Sequence, residues 1–272
     1  IFGPGIYDMK AGFLQAVYAL SNSKEIKDLT QKVALIATSD EETGSETSKK
    51  LIADISKVAK YVLVFEASYQ AGQVKTARKG TSMYKIKVIG KAAHAGLEPE
   101  NGINATVEIS KLINQIIQLA DSKSGTTVVP TVLQSGTTTN TVPEVATLDI
   151  DCRSFEMKQL QRIDSEIRKL QSSSAKVEVS GAINRPPLEE QNSKQLFQIL
   201  NNKLKSVGKS EVLSAAVGGA SDGNLAAAAG AQVLDGLGAV GHGAHAKTEH
   251  ILKSKIESQI EMAKLLIQEL CK

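Results

Sequence analysis

Two glutamates stand side by side in Ser39-Asp40-Glu41-Glu42-Thr43-Gly44-Ser45, directly after the apolar run Val33-Ala34-Leu35-Ile36-Ala37-Thr38. Adjacent carboxylates repel, so holding both in place needs a cation, a shared proton or abundant water. One of the pair could bind a metal while the other moves a proton. An isolated Glu-Glu pair also serves as a solvated acidic turn ahead of a helix starting near Ser45. Two more acids occupy comparable places. Asp8 precedes a helix, where an N-cap is its ordinary role. Glu66 ends the run Tyr61-Val62-Leu63-Val64-Phe65. Acids at strand ends and at a helix start gather on one rim of a parallel sheet, where open α/β sheets place ligands. That is the layout of a metal site.

The elements that must position these acids follow from periodicity. Phe13, Leu14, Ala16, Val17 and Leu20 recur at helical spacing and predict the buried side of a first helix. Residues 33–38 and 61–65 read as strands buried on both faces, with a helix between them whose face is Leu51, Ile52, Ile55 and Val58. After about residue 77 the pattern changes. Residues 81–89 alternate, with Tyr84, Ile86 and Val88 inward and Lys85 and Lys87 outward. A helix at about 103–120, strands at 126–133 and 146–152, a helix at about 156–171 and a strand at 175–180 complete a β-α-β-β-α-β order. That order is ferredoxin-like. Ala146, Leu148, Ile150 and Cys152 share the inward face of the third strand, which makes Cys152 a core thiol and not a nucleophile.

From about residue 190 the α/β pattern resumes: a helix at 193–206, a strand near 213–217, the loop 218–223, a helix at 224–229 and a strand at 231–234. The loop 236–248 carries His242 and His245, and a closing helix follows with Leu252, Ile256, Ile260, Ala263, Ile267 and Leu270 on one stripe. The expected organisation is α/β. A discontinuous domain, residues 1–76 and 185–272, receives an α+β ferredoxin-like insertion at 77–184.

Composition bounds the function. A net charge of +3 spread over 272 residues argues against nucleic acid as partner. No apolar run is long enough to span a bilayer. Two distant cysteines, Cys152 and Cys271, give no disulfide framework, so a reducing, cytoplasmic setting is the default. The opening Ile1-Phe2-Gly3-Pro4-Gly5 reads as a chain cut into from upstream, which leaves a periplasmic or secreted location open.

In this order, on these elements, the motifs resemble the M20 family of zinc metallopeptidases, most closely its glutamate carboxypeptidase (carboxypeptidase G2-like) branch. They are Gly-Pro-Gly-Ile-Tyr-Asp-Met-Lys at 3–10, Ser-Asp-Glu-Glu-Thr-Gly-Ser at 39–45, Phe-Glu-Ala at 65–67 and His-Ala-Gly-Leu-Glu-Pro-Glu-Asn-Gly-Ile-Asn-Ala at 94–105. Thr-Asn-Thr-Val-Pro at 139–143, Asp-Cys-Arg at 151–153, Gly-Gly-Ala-Ser-Asp-Gly-Asn at 218–224 and Gly-His-Gly-Ala-His at 241–245 complete the set.

The resemblance implies a zinc-dependent amidohydrolase, active as a homodimer through the inserted domain, that removes a C-terminal amino acid such as glutamate or cleaves an N-acyl amino acid. Asp8 would bridge two Zn2+ ions, Glu42 and His245 would complete one, and Glu66 would belong to the other. Glu41 would be the general base, and His94 would reach the oxyanion of the partner's site. Asn140 and Arg153 would hold the substrate carboxylate, with backbone donors from Gly218 and Gly219. His242 is the competing ligand, His250 reads as a surface residue, and an ion pair with a neighbouring acid is the alternative for Arg153. The family's first zinc histidine lies upstream of the Asp8 motif, whereas all four histidines here lie downstream of it. One zinc per chain and an inactive or poorly soluble 1–272 are therefore expected. The alternative to an enzyme is a dimerising module that binds a single metal.

Overall fold

A computed structural model describes residues 1–21 and 33–272. In chain order the elements are α1 (Ala11–Ser21), α2 (Lys49–Val58), β1 (Tyr61–Leu63), β2 (Val74–Arg78), β3 (Gly80–Ile89), α3 (Ala105–Ile117), β4 (Thr127–Ser135), β5 (Val145–Ser154) and α4 (Met157–Arg168). There follow β6 (Lys176–Arg185), α5 (Glu190–Ser206), β7 (Ser214–Val217), α6 (Asp222–Ala228), β8 (Gln232–Leu234), β9 (Gly241–His242), β10 (His250–Ile251) and α7 (Ile256–Leu270). They form two compact units, residues 1–78 with 188–272, and residues 79–187.

In the first unit β1 runs parallel to β8, with Tyr61 opposite Gln232, and β2 runs parallel to β7, with Val74 opposite Ser214. Leu196, Leu200 and Leu204 recur every four residues on α5 and meet Val74, Leu234, Leu237, Met262 and Leu266 in the largest core cluster of this unit.

Four expectations fail here. Val33–Thr38 is not a strand, and Leu35 and Ile36 are exposed. An apolar run becomes a doubly buried strand only where neighbours pair with it, and none does among the described residues. On α1 the buried residues are Ala11, Gly12, Gln15, Ala16 and Ala19, while Phe13 and Leu14 face outward. A side chain on Gly12 would collide with the Phe65 carbonyl and Gly238, so the helix turns its small residues inward, Ala19 against Ala263 and Ile267. On α2 it is Ile52 and Ser56 that are buried, with Ile52 in one cluster with Ala226 and Ala227 of α6; Leu51 and Val58 point away. The stripe of the closing helix likewise begins at Ile256, leaving Leu252 outside it and exposed.

The second unit is a four-stranded antiparallel sheet in the order β4-β5-β3-β6 with α3 and α4 packed on it, the β-α-β-β-α-β sequence of elements. Tyr84, Ile86 and Val88 of β3 and Ala146, Leu148, Ile150 and Cys152 of β5 join Ile109, Leu112, Ile116, Ile163 and Ile167 of the helices in one core. The opposite face is polar: Lys85 lies across from Asp149 in register and pairs with it at 3.3 Å. This alternation of wet and dry faces is what a sheet covered on one side requires.

Candidate functional site

The acids of the first unit sit on irregular turns, each tied down by polar groups from distant sequence. Asp8 lies in the turn Ile6–Lys10 that leads into α1. The Glu249 carboxylate accepts the backbone N–H groups of Gly5, Tyr7 and Asp8. Glu41–Thr43 form one 3₁₀ turn, closed by Gly44 at φ 98°. The Asp40 carboxylate accepts from Thr47 N and Oγ1 at 2.8 and 2.6 Å and from Ser48 N at 3.1 Å, and Ser48 and Thr47 together hold it well below the usual carboxylate range. The two ends of the acidic turn share an anchor. Ser45 Oγ and Thr38 Oγ1 donate to Asp222 at 2.5 and 3.1 Å. With about three residues per 3₁₀ turn, neighbouring side chains diverge by roughly 120°. Glu41 and Glu42 thus point apart, Glu41 half-buried and Glu42 exposed.

His245 occupies the β9–β10 loop with φ 60°. Its Nε2 lies 3.5 Å from Asp8 Oδ2 and 3.3 Å from Glu42 Oε1, and one donor atom from each of the three residues falls within 4.8 Å of the others. Four ligands arranged tetrahedrally at about 2.05 Å from a zinc ion are about 3.3 Å apart. The imidazole–carboxylate separations match that spacing, and one nitrogen with two carboxylate oxygens is a donor set that zinc accepts. The residues therefore fit a divalent ion. His242 is not in this group: it lies across from His250 in the β9–β10 pair, with ring centroids 6.1 Å apart, and His250 also packs against Phe2.

Glu66 stands apart from that trio, in a buried charge network. Arg78 donates to Asp235 through Nε at 2.7 Å and Nη2 at 3.0 Å, and its Nη2 is 3.9 Å from Glu66 Oε2. Burial first, then the Asp235 charge, pushes Glu66 up to about 8; Arg78 opposes the shift, and Asp8 and Glu41 add to it. Arg78 Nη1 also binds the carbonyls of Gly219 and Ala220 at 3.1 and 3.3 Å, and Ser221 Oγ donates to Asp235 at 2.6 Å. The loop of Gly218 and Gly219 is thus pinned by its oxygens. Sequence alone assigns no role to Arg78, Asp235 or Glu249, and Asp222 stands only as part of the 218–224 motif; a charged residue at the end of a short strand or loop is the one signal available.

In the second unit His94 and Asn140 come together on adjacent loops. His94 bridges Thr141, and Ala95 N donates to Asn140 O at 2.9 Å. His94 is exposed, and its Nδ1 accepts from Gly96 N at 3.1 Å, which leaves the proton on Nε2. Arg153 forks onto Asp151, Nε to Oδ1 at 2.9 Å and Nη2 to Oδ2 at 3.2 Å, so a substrate carboxylate would have to share that guanidinium. Cys152 beside it is fully buried.

Comparison with known proteins places these geometries in context. Peptidase family M20/M25/M40 matches residues 1–269. Carboxypeptidase G2 of Pseudomonas sp. (strain RS-16) is 33% identical over 282 aligned positions, covering 99% of this chain and 67% of that protein. Among solved structures, aminopeptidase PepT from Bacillus cereus ATCC 10987 superposes with a TM-score of 0.79 at 20% identity over 95% of this chain and 70% of its own. The Bacillus subtilis YXEP protein, a dinuclear metal binding peptidase from the M20 family, gives 0.62 at 15% identity, over 84% and 62% of the two chains. The α/β peptidase fold is shared with both.

Proposed function

Because the chain belongs to peptidase family M20/M25/M40, we propose that it is a zinc-dependent amidohydrolase that releases a C-terminal amino acid or cleaves an N-acyl amino acid. The observation that carries this reading is the convergence of Asp8, Glu42 and His245 within 4.8 Å, beside a second glutamate that points elsewhere. Asp8, Glu42 and His245 would hold one ion, and Glu66, with Asp8, would face a second. When bound, such an ion polarises the scissile carbonyl and lowers the pKa of water.

The chain's own groups supply the remainder. Glu41, half-buried and turned away from Glu42, takes a proton from the attacking water and delivers it to the leaving nitrogen, so that amide and water become carboxylate and amine. His94 donates from Nε2 to the carbonyl oxygen as it gains charge. Asn140 and Arg153 would orient the substrate carboxylate, and Gly218 and Gly219 would offer backbone donors. Pairing of two chains through the 79–187 unit would bring His94 to the partner's site. The exposed Val129, Val132 and Leu133 on edge strand β4 suit such a contact. Glutamate as the released residue follows the carboxypeptidase likeness. No helix among the described residues is long and apolar enough to cross a membrane.

The test is metal content and turnover together. The full-length gene product, loaded with zinc, is assayed against N-acyl amino acids and dipeptides, with Asp8→Asn and His245→Ala alongside. Bound zinc that both substitutions remove, accompanied by release of an amino acid, supports the proposal. No zinc and no hydrolysis would favour a non-catalytic dimerising module.

A further inference from the structure

We propose that Glu249 is a positioning residue: its carboxylate clamps the Asp8 turn onto the segment that carries His245, and so brings two metal donors from opposite ends of the chain to one point. The inference rests on the metal-centre reading above.

Glu249 is 6% exposed and is not among the three converging donors. Its Oε2 accepts Gly5 N at 2.5 Å, and its Oε1 accepts Tyr7 N and Asp8 N, both at 2.9 Å. Three N–H groups of one turn on one carboxylate form an arrangement that only an ionised acid satisfies. An amide has a single acceptor oxygen and would turn its NH2 toward a donor. The turn holds Asp8, and Glu249 lies four positions beyond His245 on the β9–β10 segment, so the clamp spans the two donors directly. The neighbouring backbone supports the same junction: Gly3 N binds Glu249 O at 3.2 Å, and Ile251 N binds Ile1 O at 2.9 Å. That short ladder keeps the segments attached when the carboxylate is altered, leaving the placement of Asp8 as the specific contribution of Glu249.

Groups that orient metal ligands without touching the metal change affinity by about 10–100-fold when removed. The experiment is titration of the chelator-stripped chain with Co2+ alone, followed by its visible absorption, for wild type, Glu249→Gln, Glu249→Asp, Asp8→Asn and the double variant Glu249→Gln/Asp8→Asn. Glu249→Gln is expected to raise Kd for Co2+ about 10–100-fold. Glu249→Asp, which keeps the charge but is one methylene short of three donors, is expected to fall between it and wild type. In the Asp8→Asn background Glu249→Gln should change Kd by less than about two-fold, because it acts through Asp8. A folded Glu249→Gln with a Kd within about two-fold of wild type overturns the proposal, as does an undiminished loss in the Asp8→Asn background. If Glu249→Gln does not fold, Glu249→Asp carries both comparisons. Co2+ binding that ignores Asp8→Asn would instead refute the metal centre itself, and the clamp with it.

Discussion

Removing the Asp235 carboxylate should cost a large part of the stability of the first unit. Arg78 is 4% exposed and Asp235 is fully buried. In Asp235→Ala the guanidinium keeps only the carbonyls of Gly219 and Ala220, at 3.1 and 3.3 Å, and Glu66 at 3.9 Å. Ser221 Oγ and Gly236 N lose their acceptor in the same change. Breaking a buried pair from one side costs about 3–5 kcal/mol, because the surviving charge stays desolvated. Native stabilities are only about 5–15 kcal/mol. At about 2–4 °C per kcal/mol, the melting temperature should fall by about 6–20 °C. Urea and thermal unfolding followed by far-UV circular dichroism measure this for Asp235→Ala, Asp235→Leu, Arg78→Met and Arg78→Met/Asp235→Leu. The double variant removes both charges and should recover most of the loss, retaining a deficit of about 1–3 kcal/mol for the stranded Ser221 and Gly236 donors. A loss below about 1 kcal/mol in Asp235→Ala, or simple addition of the two single effects in the double variant, would refute the reasoning.

The other predictions concern the chemistry and one thiol. Glu41→Gln should keep bound zinc and lose about 10²–10⁴-fold in turnover, since an amide cannot accept the proton. Glu42→Gln should weaken zinc binding instead, and the opposite pattern in metal analysis would mean that the two roles are reversed. Mixing inactive His94→Ala with inactive Glu41→Gln should restore part of the activity, because one site of the mixed dimer then has its own Glu41 and the partner's His94. Demonstrated subunit exchange without recovery would place His94 in the same chain's site or give it a structural role. Burial, and then the Asp151 charge, pushes the Cys152 thiol up to about 12. It should therefore stay unreactive to Ellman's reagent at pH 8 until the chain unfolds. The raised value also means that its contribution to stability is complete below its unfolded pKa and is lost as pH climbs towards 12. Rapid native labelling of Cys152, located by peptide mapping, would contradict its place in the core.

The elements that sequence reveals well are those whose environment is written locally. β3 and β5 have one wet and one dry face, so Tyr84, Ile86 and Val88 alternate with lysines and can be read residue by residue. The misreadings share a physical cause, which is that hydrophobicity does not say what lies opposite. Val33–Thr38 has the composition of a central strand but no partner among the described residues. On α1 the more apolar face loses to the smaller one, since close approach to Phe65 and Gly238 rewards small volume over transfer energy. Strand β2 is illegible in the sequence because Lys75, Thr76 and Arg78 look like a loop; Arg78 is buried there by an acid 157 positions away. The converging acids were legible as acids at segment ends. Their anchors were not: Asp222 reaches Ser45 across 177 positions and Glu249 reaches Asp8 across 241.

Those anchors explain how donors on turns can be held in place at all. Asp8, Glu42 and His245 lie outside the strand ladders that would otherwise fix backbone position, and both Ser45 and His245 take positive φ without being glycine. Such conformations persist only where surrounding bonds over-determine them. Asp222 does this for the acidic turn and Glu249 for the Asp8 turn, and Arg78 with Asp235 holds the loop at 219–221 beside Glu66. The 3₁₀ turn then separates two neighbouring glutamates by direction rather than by distance, so that Glu42 faces the imidazole of His245 while Glu41 points elsewhere. If Asp8, Glu42 and His245 hold an ion as proposed, its affinity would depend on acids that never touch it as well as on the donors themselves. Substitutions at Asp222 or Glu249 should accordingly move affinity while every donor side chain remains in the sequence.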